Sequence, residues 1–154
     1  MVFSDEHQDR ADIMVAEDES LREVAEAQPA FARFLGIELI SYSRDRIVAE
    51  LVVKEEHANR NGLLHGGAIM AFADNLGGTA ASLNLPPGAR TTTLESKTNF
   101  LRAITIGQRA RAECVALHRG RSTSVWQTTV SDEQGRTAAI VTQTQLVLQP
   151  PEEG

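Results

Sequence analysis

The chain has 154 residues, a length that suits one domain with a sizeable core. Hydrophobic residues make up 42% and charged residues 23%, ordinary values for a soluble globular protein; aromatics are only 5%, so aliphatic side chains and alanine must fill the core. Fifteen basic against 21 acidic residues, a formal net charge of -6, argue against nucleic acid as a partner. The single cysteine, Cys114, excludes an intramolecular disulfide, fits a reducing compartment and lies in an alternating strand pattern that marks it as core. No apolar run is long enough to cross a membrane, and the acidic N-terminus lacks the basic start of a signal peptide, so the expected location is cytoplasmic.

Residues 1–19 are rich in Asp and Glu and read as a solvated tail. A short helical segment over 20–35 follows, with Ser20 as N-cap, Glu23 at the capping-box position and Gly36 as terminator. From Ile37 the apolar period changes to two. Ile37–Tyr42 and Arg46–Lys54 read as strands, the second with Ile47, Ala49, Leu51 and Val53 on one face. A polar loop, Glu55–Leu64, leads into a long apolar stretch, and Leu85-Pro86-Pro87-Gly88 breaks the chain after it. Long strands follow over Thr91–Ile104, Gln108–Leu117, Ser122–Ser131 and Arg136–Leu148, with turns at Gly107, Arg119-Gly120-Arg121 and Asp132-Glu133-Gln134-Gly135. Residues 149–154 form a short polar tail. The main domain therefore runs over 36–148.

His65–Leu83 is the stretch around which the rest is organised. It reads as one helix, apolar nearly all round, which implies that other structure wraps it. One helix cannot cover both faces of the sheet those strands would make, so the expected class is α+β, with a curved antiparallel sheet wrapped around one long central helix. The open sheet edges predict a homodimer. His65-Gly66-Gly67 stands at the helix start, where free N–H groups and the positive dipole end attract a carbonyl oxygen or an anion. Further along lies one acid, Asp74. An electrophilic helix end and an acid on one helix suggest a reaction site.

Asn59, then Gly62-Leu63-Leu64-His65-Gly66-Gly67, then Asp74, then a strand with Thr93, Glu95 and Asn99, together resemble the hot-dog-fold acyl-CoA thioesterases of the phenylacetic-acid-degradation type. The resemblance covers about Gly36 to Leu148. It implies the hot-dog fold, dimers that pair into tetramers, and an active site at the dimer interface. It implies that the Gly66 N–H polarises the thioester carbonyl, that Asn59 holds substrate or water, that Asp74 is base or nucleophile, and that Thr93 positions the water, with Thr92 the competing position. It implies an acyl-CoA substrate and no separate cofactor.

The chemistry also stands on its own terms. A helix N-terminus stabilises an oxyanion, a carboxylate takes a proton from water or attacks directly, and Gly66 and Gly67 let a substrate approach the backbone closely. Asp74 lies eight positions after Gly66, or roughly 12 Å along a helix, too far for both to act on one carbonyl. Two antiparallel helices across a dimer axis would bring Gly66 of one chain to Asp74 of the other. Plainer readings stand beside these. Asp74 could be an acid bonded to a strand, Asn59 a loop residue, and His65 a structural helix-start residue rather than one near the leaving thiol. No partner for His65 stands at metal-ligand spacing. His57 and His118 read as surface residues, Trp126 as core or interface, and Glu95 as structurally paired. Arg119 and Arg121 read either as hairpin residues or as phosphate ligands for CoA, with Arg90 and Lys97 behind them.

Two other functions compete. An enoyl-CoA hydratase would carry a different, His-based motif that is absent here. A non-catalytic acyl-CoA binder or ligand-sensing protein would not need Asp74, which makes that residue the discriminator.

Overall fold

The computed structural model describes residues 19–150. A helix over 19–26 (α1) and a short helix Ala30–Leu35 (α2) precede six strands and one long helix. The strands are β1 (Glu38–Tyr42), β2 (Arg46–Val52), β3 (Arg90–Phe100), β4 (Arg109–Arg119), β5 (Thr123–Ser131) and β6 (Thr137–Leu148); the long helix, α3, spans Gly66–Ser82 between β2 and β3. All neighbouring strands are antiparallel, in the order β1-β2-β4-β5-β6-β3. The chain thus leaves β2 near one side of the sheet, crosses its face as α3 and returns at the far edge as β3. This is the α+β arrangement of one long helix against an antiparallel sheet that the sequence predicts, and it agrees with the fold that the resemblance implies.

The period-two pattern decides which face meets the helix. Ile47, Ala49 and Leu51 of β2 are buried, as are Ala110, Ala112 and Cys114 of β4 and Trp126 and Val130 of β5. They pack with Ile69, Phe72 and Leu76 of α3 in one cluster. Each large apolar side chain buried there contributes about 1.5–3 kcal/mol of transfer free energy. Trp126 is core, and its Nε1–H donates to Ser124 Oγ at 2.8 Å, which satisfies the indole donor inside the protein. Gly36 ends α2 at φ 74°, the left-handed conformation a helix terminator needs.

Several expectations need correction. The chain is already helical at residues 19 and 20, so Ser20 lies within α1 and does not cap it. The strand expected to run to Ile104 ends at Phe100. The Leu101 and Arg102 N–H groups both donate to Ala138 O, and the chain then turns so that Ile104 O accepts from the Leu64 N–H at 2.7 Å. His57 is buried rather than on the surface, because its Nδ1 accepts the Lys54 N–H at 3.2 Å and closes the turn Glu55–His57. His118 is exposed, as expected. The wrapping of α3 is incomplete: Gly67, Met70 and Asp74 form an exposed stripe along one side, with Met70 40% exposed. Residues 1–18 of the acidic tail expected over 1–19, and residues 151–154 of the C-terminal tail, lie outside the described residues, while residue 19 already belongs to α1.

Candidate active site

Asp74 projects from the open side of α3 toward the inner face of β3 and β6. Thr93 Oγ1–H donates to Asp74 Oδ1 at 2.8 Å, and Gln143 Nε2–H donates to the same oxygen at 3.2 Å. Gln145 Nε2–H in turn donates to Thr93 Oγ1 at 2.8 Å, and Gln145 Oε1 accepts from Thr91 Oγ1 at 2.9 Å. One carboxylate oxygen is therefore anchored by two donors. Asp74 Oδ2 has no partner among the described residues, and Asp74 lines a cleft of about 580 Å³.

The strand supplies this geometry through a bulge. The β3–β6 register shifts between Thr93 and Glu95, so Leu94 is the extra residue. Thr91 and Thr93 point inward to Gln145 and Asp74. Glu95 falls on the outer face, where its Oε1 accepts from Thr144 Oγ1 at 2.8 Å. Glu95 is thus the structurally paired residue expected, and Thr93 rather than Thr92 meets Asp74. Lys97 Nζ donates to Asn99 Oδ1.

The start of α3 forms a second centre. His65 is the N-cap: its Nδ1 accepts the Gly67 N–H at 2.8 Å, and its carbonyl takes the Ala68 and Ile69 N–H groups. That leaves the Gly66 N–H without a partner among the described residues, at the positive end of a 17-residue helix. Asn59 Oδ1 accepts from the Asn61 N–H at 2.9 Å and the Leu63 N–H at 3.2 Å, a local loop-closing role, while its Nδ2 stays unpaired among the described residues. Asn59, Gly66, Phe100 and Arg102 line one cleft of about 340 Å³. A Cβ on Gly66 would come 3.1 Å from the Phe100 ring, so glycine leaves room for that ring beside the helix start.

Within one chain, then, Gly66 and Asn59 line one cleft and Asp74 and Thr93 line another. The basic candidates scatter. Arg119 pairs with Asp45 at 2.8 Å and donates to Asn84 Oδ1 at 3.1 Å, beside a third cleft near the C-terminal end of α3. Arg90 and Arg121 are exposed and without an ion-pair partner among the described residues. Arg102, on the Gly66 cleft, is also unpaired and escaped the sequence reading because nothing in the local pattern sets it apart. Gln143 and Gln145 escaped it too, although they share the inward parity of Ala139 and Val141 along β6.

Cys114 is excluded as a nucleophile: burial pushes its thiol up to about 11, so it keeps its proton at neutral pH. Among the described residues no group of three His, Cys, Asp or Glu stands close enough to hold a metal ion, and no helix is long and apolar enough to cross a membrane.

The family model for the thioesterase superfamily matches residues 61–139, which include Gly66, Asp74 and Thr93. The proofreading thioesterase EntH of Cronobacter turicensis is 37% identical over 102 residues, covering 66% of this chain and 74% of that protein. The chain spans between 66% and 76% of the length of the first curated relatives it matches. Among solved structures, a Haemophilus influenzae thioesterase superposes with a TM-score of 0.77 at 28% identity, over 84% of this chain and 90% of that one. A Streptococcus mutans protein bound to acetyl CoA shares the fold at a TM-score of 0.69 and 24% identity, over 75% of this chain and 91% of that one.

Proposed function

We propose that this chain, which belongs to the thioesterase superfamily and is a thioester hydrolase, acts on acyl-CoA esters at a site completed by two copies of itself. The observation that carries the reading is the anchored Asp74 carboxylate on the wall of a cleft, with one oxygen held by Thr93 and Gln143 and the other without a partner among the described residues.

Asp74 is the general base. Two donors on Oδ1 hold the carboxylate in one orientation and fix the direction in which Oδ2 accepts a proton. A water between Oδ2 and the thioester loses that proton as its oxygen bonds to the carbonyl carbon. The Gly66 N–H, backed by the dipole of α3, carries the negative charge that develops on the carbonyl oxygen. The tetrahedral intermediate then collapses, the carbon–sulfur bond breaks, and Asp74 returns its proton to the departing thiolate. Asn59 Nδ2 is a second donor for substrate or water, and His65 fixes the helix start that presents Gly66.

The surface that one chain leaves open supports the dimer. The Gly67, Met70 and Asp74 stripe and the unpaired β3 edge, with Leu94 55% exposed, call for a partner. Antiparallel packing of two α3 helices would cover the stripe and set Gly66 of one protomer against Asp74 of its partner. Tetramer formation through the outer sheet faces extends the same reading. Unpaired guanidinium groups at Arg102, Arg90 and Arg121 supply candidate contacts for the CoA phosphates.

The test is thiol release from a panel of acyl-CoA esters (phenylacetyl, hydroxybenzoyl and short, medium and long alkyl), wild type beside Asp74→Ala. Turnover that disappears in the variant supports the enzyme. Saturable binding by both proteins without turnover by either would instead identify a non-catalytic binder.

A further inference from the structure

Residues 24–29 precede the segment matched by the family model, yet Val24, Ala27, Gln28 and Pro29 form one wall of the Asp74 cleft. Gln28 ties that wall to the helix. Its Nε2–H donates to Ala25 O at 2.7 Å and to Thr79 Oγ1 at 3.4 Å, and its Oε1 accepts from Asn75 Nδ2 at 2.8 Å.

These bonds fix a polarity. A backbone carbonyl can only accept, so the atom of Gln28 facing Ala25 O is the amide nitrogen, and the atom facing Asn75 is the oxygen. Asn75 must therefore present its NH₂ to Gln28. That leaves Asn75 Oδ1, in the residue next to Asp74 and on the same cleft, as an acceptor without a partner among the described residues. Thr79, Ser82, Thr91 and Thr92 add further polar lining. Thr79, Ser82 and Thr91 already have partners within the protein, so a bare alkyl chain placed there would strip water chiefly from Asn75 Oδ1 and offer it no bond in return. An acyl group with a hydroxyl or N–H at the right depth would satisfy the free acceptor.

We propose that Gln28 is a positioning residue that holds Asn75 as a hydrogen-bond acceptor in the acyl end of the cleft, so that the enzyme selects acyl groups bearing a donor over their unsubstituted counterparts. The inference rests on the thioesterase reading of this cleft.

The experiment compares kcat/KM for matched esters, hydroxybutyryl-CoA against butyryl-CoA and hydroxyphenylacetyl-CoA against phenylacetyl-CoA, in wild type, Gln28→Leu and Gln28→Glu. In parallel, affinities are measured for the corresponding non-hydrolysable thioether analogues. A hydrogen bond that the unsubstituted ester leaves unmade corresponds to a preference on the order of tenfold for the hydroxylated member of at least one pair. The preference should fall toward one in Gln28→Leu. It should persist in Gln28→Glu, whose carboxylate still accepts from Asn75. A purely structural Gln28 would lower rates on both members of a pair and leave their ratio alone. Asn75→Leu keeps the bulk, removes the acceptor and should reverse the preference, which covers the case of a poorly folded Gln28 variant. No preference in the wild type, or equal ratios in wild type, Gln28→Leu and Asn75→Leu, overturns the inference while leaving the thioesterase reading intact. If the wild type hydrolyses no ester, the thioesterase reading fails, and the affinity ratios decide the inference by the same criteria.

Discussion

Thr93 Oγ1 lies 2.8 Å from Asp74 Oδ1 and is the donor between them, because Gln145 Nε2 already occupies the hydroxyl as an acceptor. The chain Gln145 to Thr93 to Asp74 therefore runs in one direction. It turns a carboxylate on a helix surface into one with a fixed free oxygen.

Thr93→Val keeps the shape of this side chain and removes the donor. A hydrogen bond to a charged group is worth about 1.5–3 kcal/mol, so kcat should fall by roughly ten- to a hundredfold with only a small change in Tm. Thr93→Ser should restore most of the rate. Steady-state kinetics of the pair, with thermal melts alongside, check both statements; an unchanged kcat in Thr93→Val would remove Thr93 from the site.

The separation of the Gly66 cleft from the Asp74 cleft predicts complementation between subunits. Asp74→Asn alone should lose about 10²–10⁴ in kcat. Gly66→Val alone should lose turnover because its side chain drives into the space at the Phe100 ring. After mixing and subunit exchange, half the dimers are mixed and each has one intact site, so about a quarter of the wild-type rate should return. Mixed dimers confirmed by mass spectrometry without recovered activity would rule out a shared site.

Gly77 carries a stability prediction of unusual sign. Gly→Ala inside a helix ordinarily stabilises by about 1 kcal/mol. Here the added Cβ would land on the buried Gln143 carboxamide. Overpacking of this kind costs about 1–3 kcal/mol, so Gly77→Ala should lower Tm and also slow turnover by displacing a donor from Asp74. In a Gln143→Ala background the same substitution should become neutral or stabilising. Denaturant unfolding of the four proteins closes the cycle.

Cys114 predicts the alkaline limb of stability. The folded thiol holds its proton to about 11, against 9.0 for the free group, because burial disfavours the thiolate. Between those values the unfolded chain binds fewer protons than the folded one. The thiol's contribution is therefore complete below about pH 9 and lost as pH rises toward about 11, by at most about 1.4 kcal/mol per pH unit. Cys114→Ala should remove that part of the slope in urea melts compared near pH 8 and near pH 10. Thiol reagents should label native wild-type protein slowly and leave its turnover unchanged during that time.

Much of the architecture was legible because periodicity is a local property. Ile47, Ala49, Leu51 and Val53 alternate in sequence and are buried together, and the apolar run between His65 and Leu83 became α3 with His65 as its cap. The positions of Gly66 at the helix start and of Asp74 within the helix were legible for the same reason, since both are visible in the chain itself. Residue type alone did not show that β3 bulges at Leu94, because a bulge is a mismatch between two strands rather than a feature of one. That bulge selects Thr93 over Thr92 as the partner of Asp74. Nor did it show that Gln143 and Gln145 of β6 face inward under the helix, or that His57 is buried, since both follow from which segments pack together.

By itself, then, the sequence determined the elements, the α+β class and the placing of Gly66 and Asp74 on one helix, through spacing along a single segment. The tertiary structure decided which oxygen of Asp74 is free, that Gly66 and Asp74 face separate clefts in one chain, and that Gln28 reaches Asn75 across 47 positions. Those outcomes depend on the pairing of distant segments, and long-range register leaves no periodic trace in the residues that obey it.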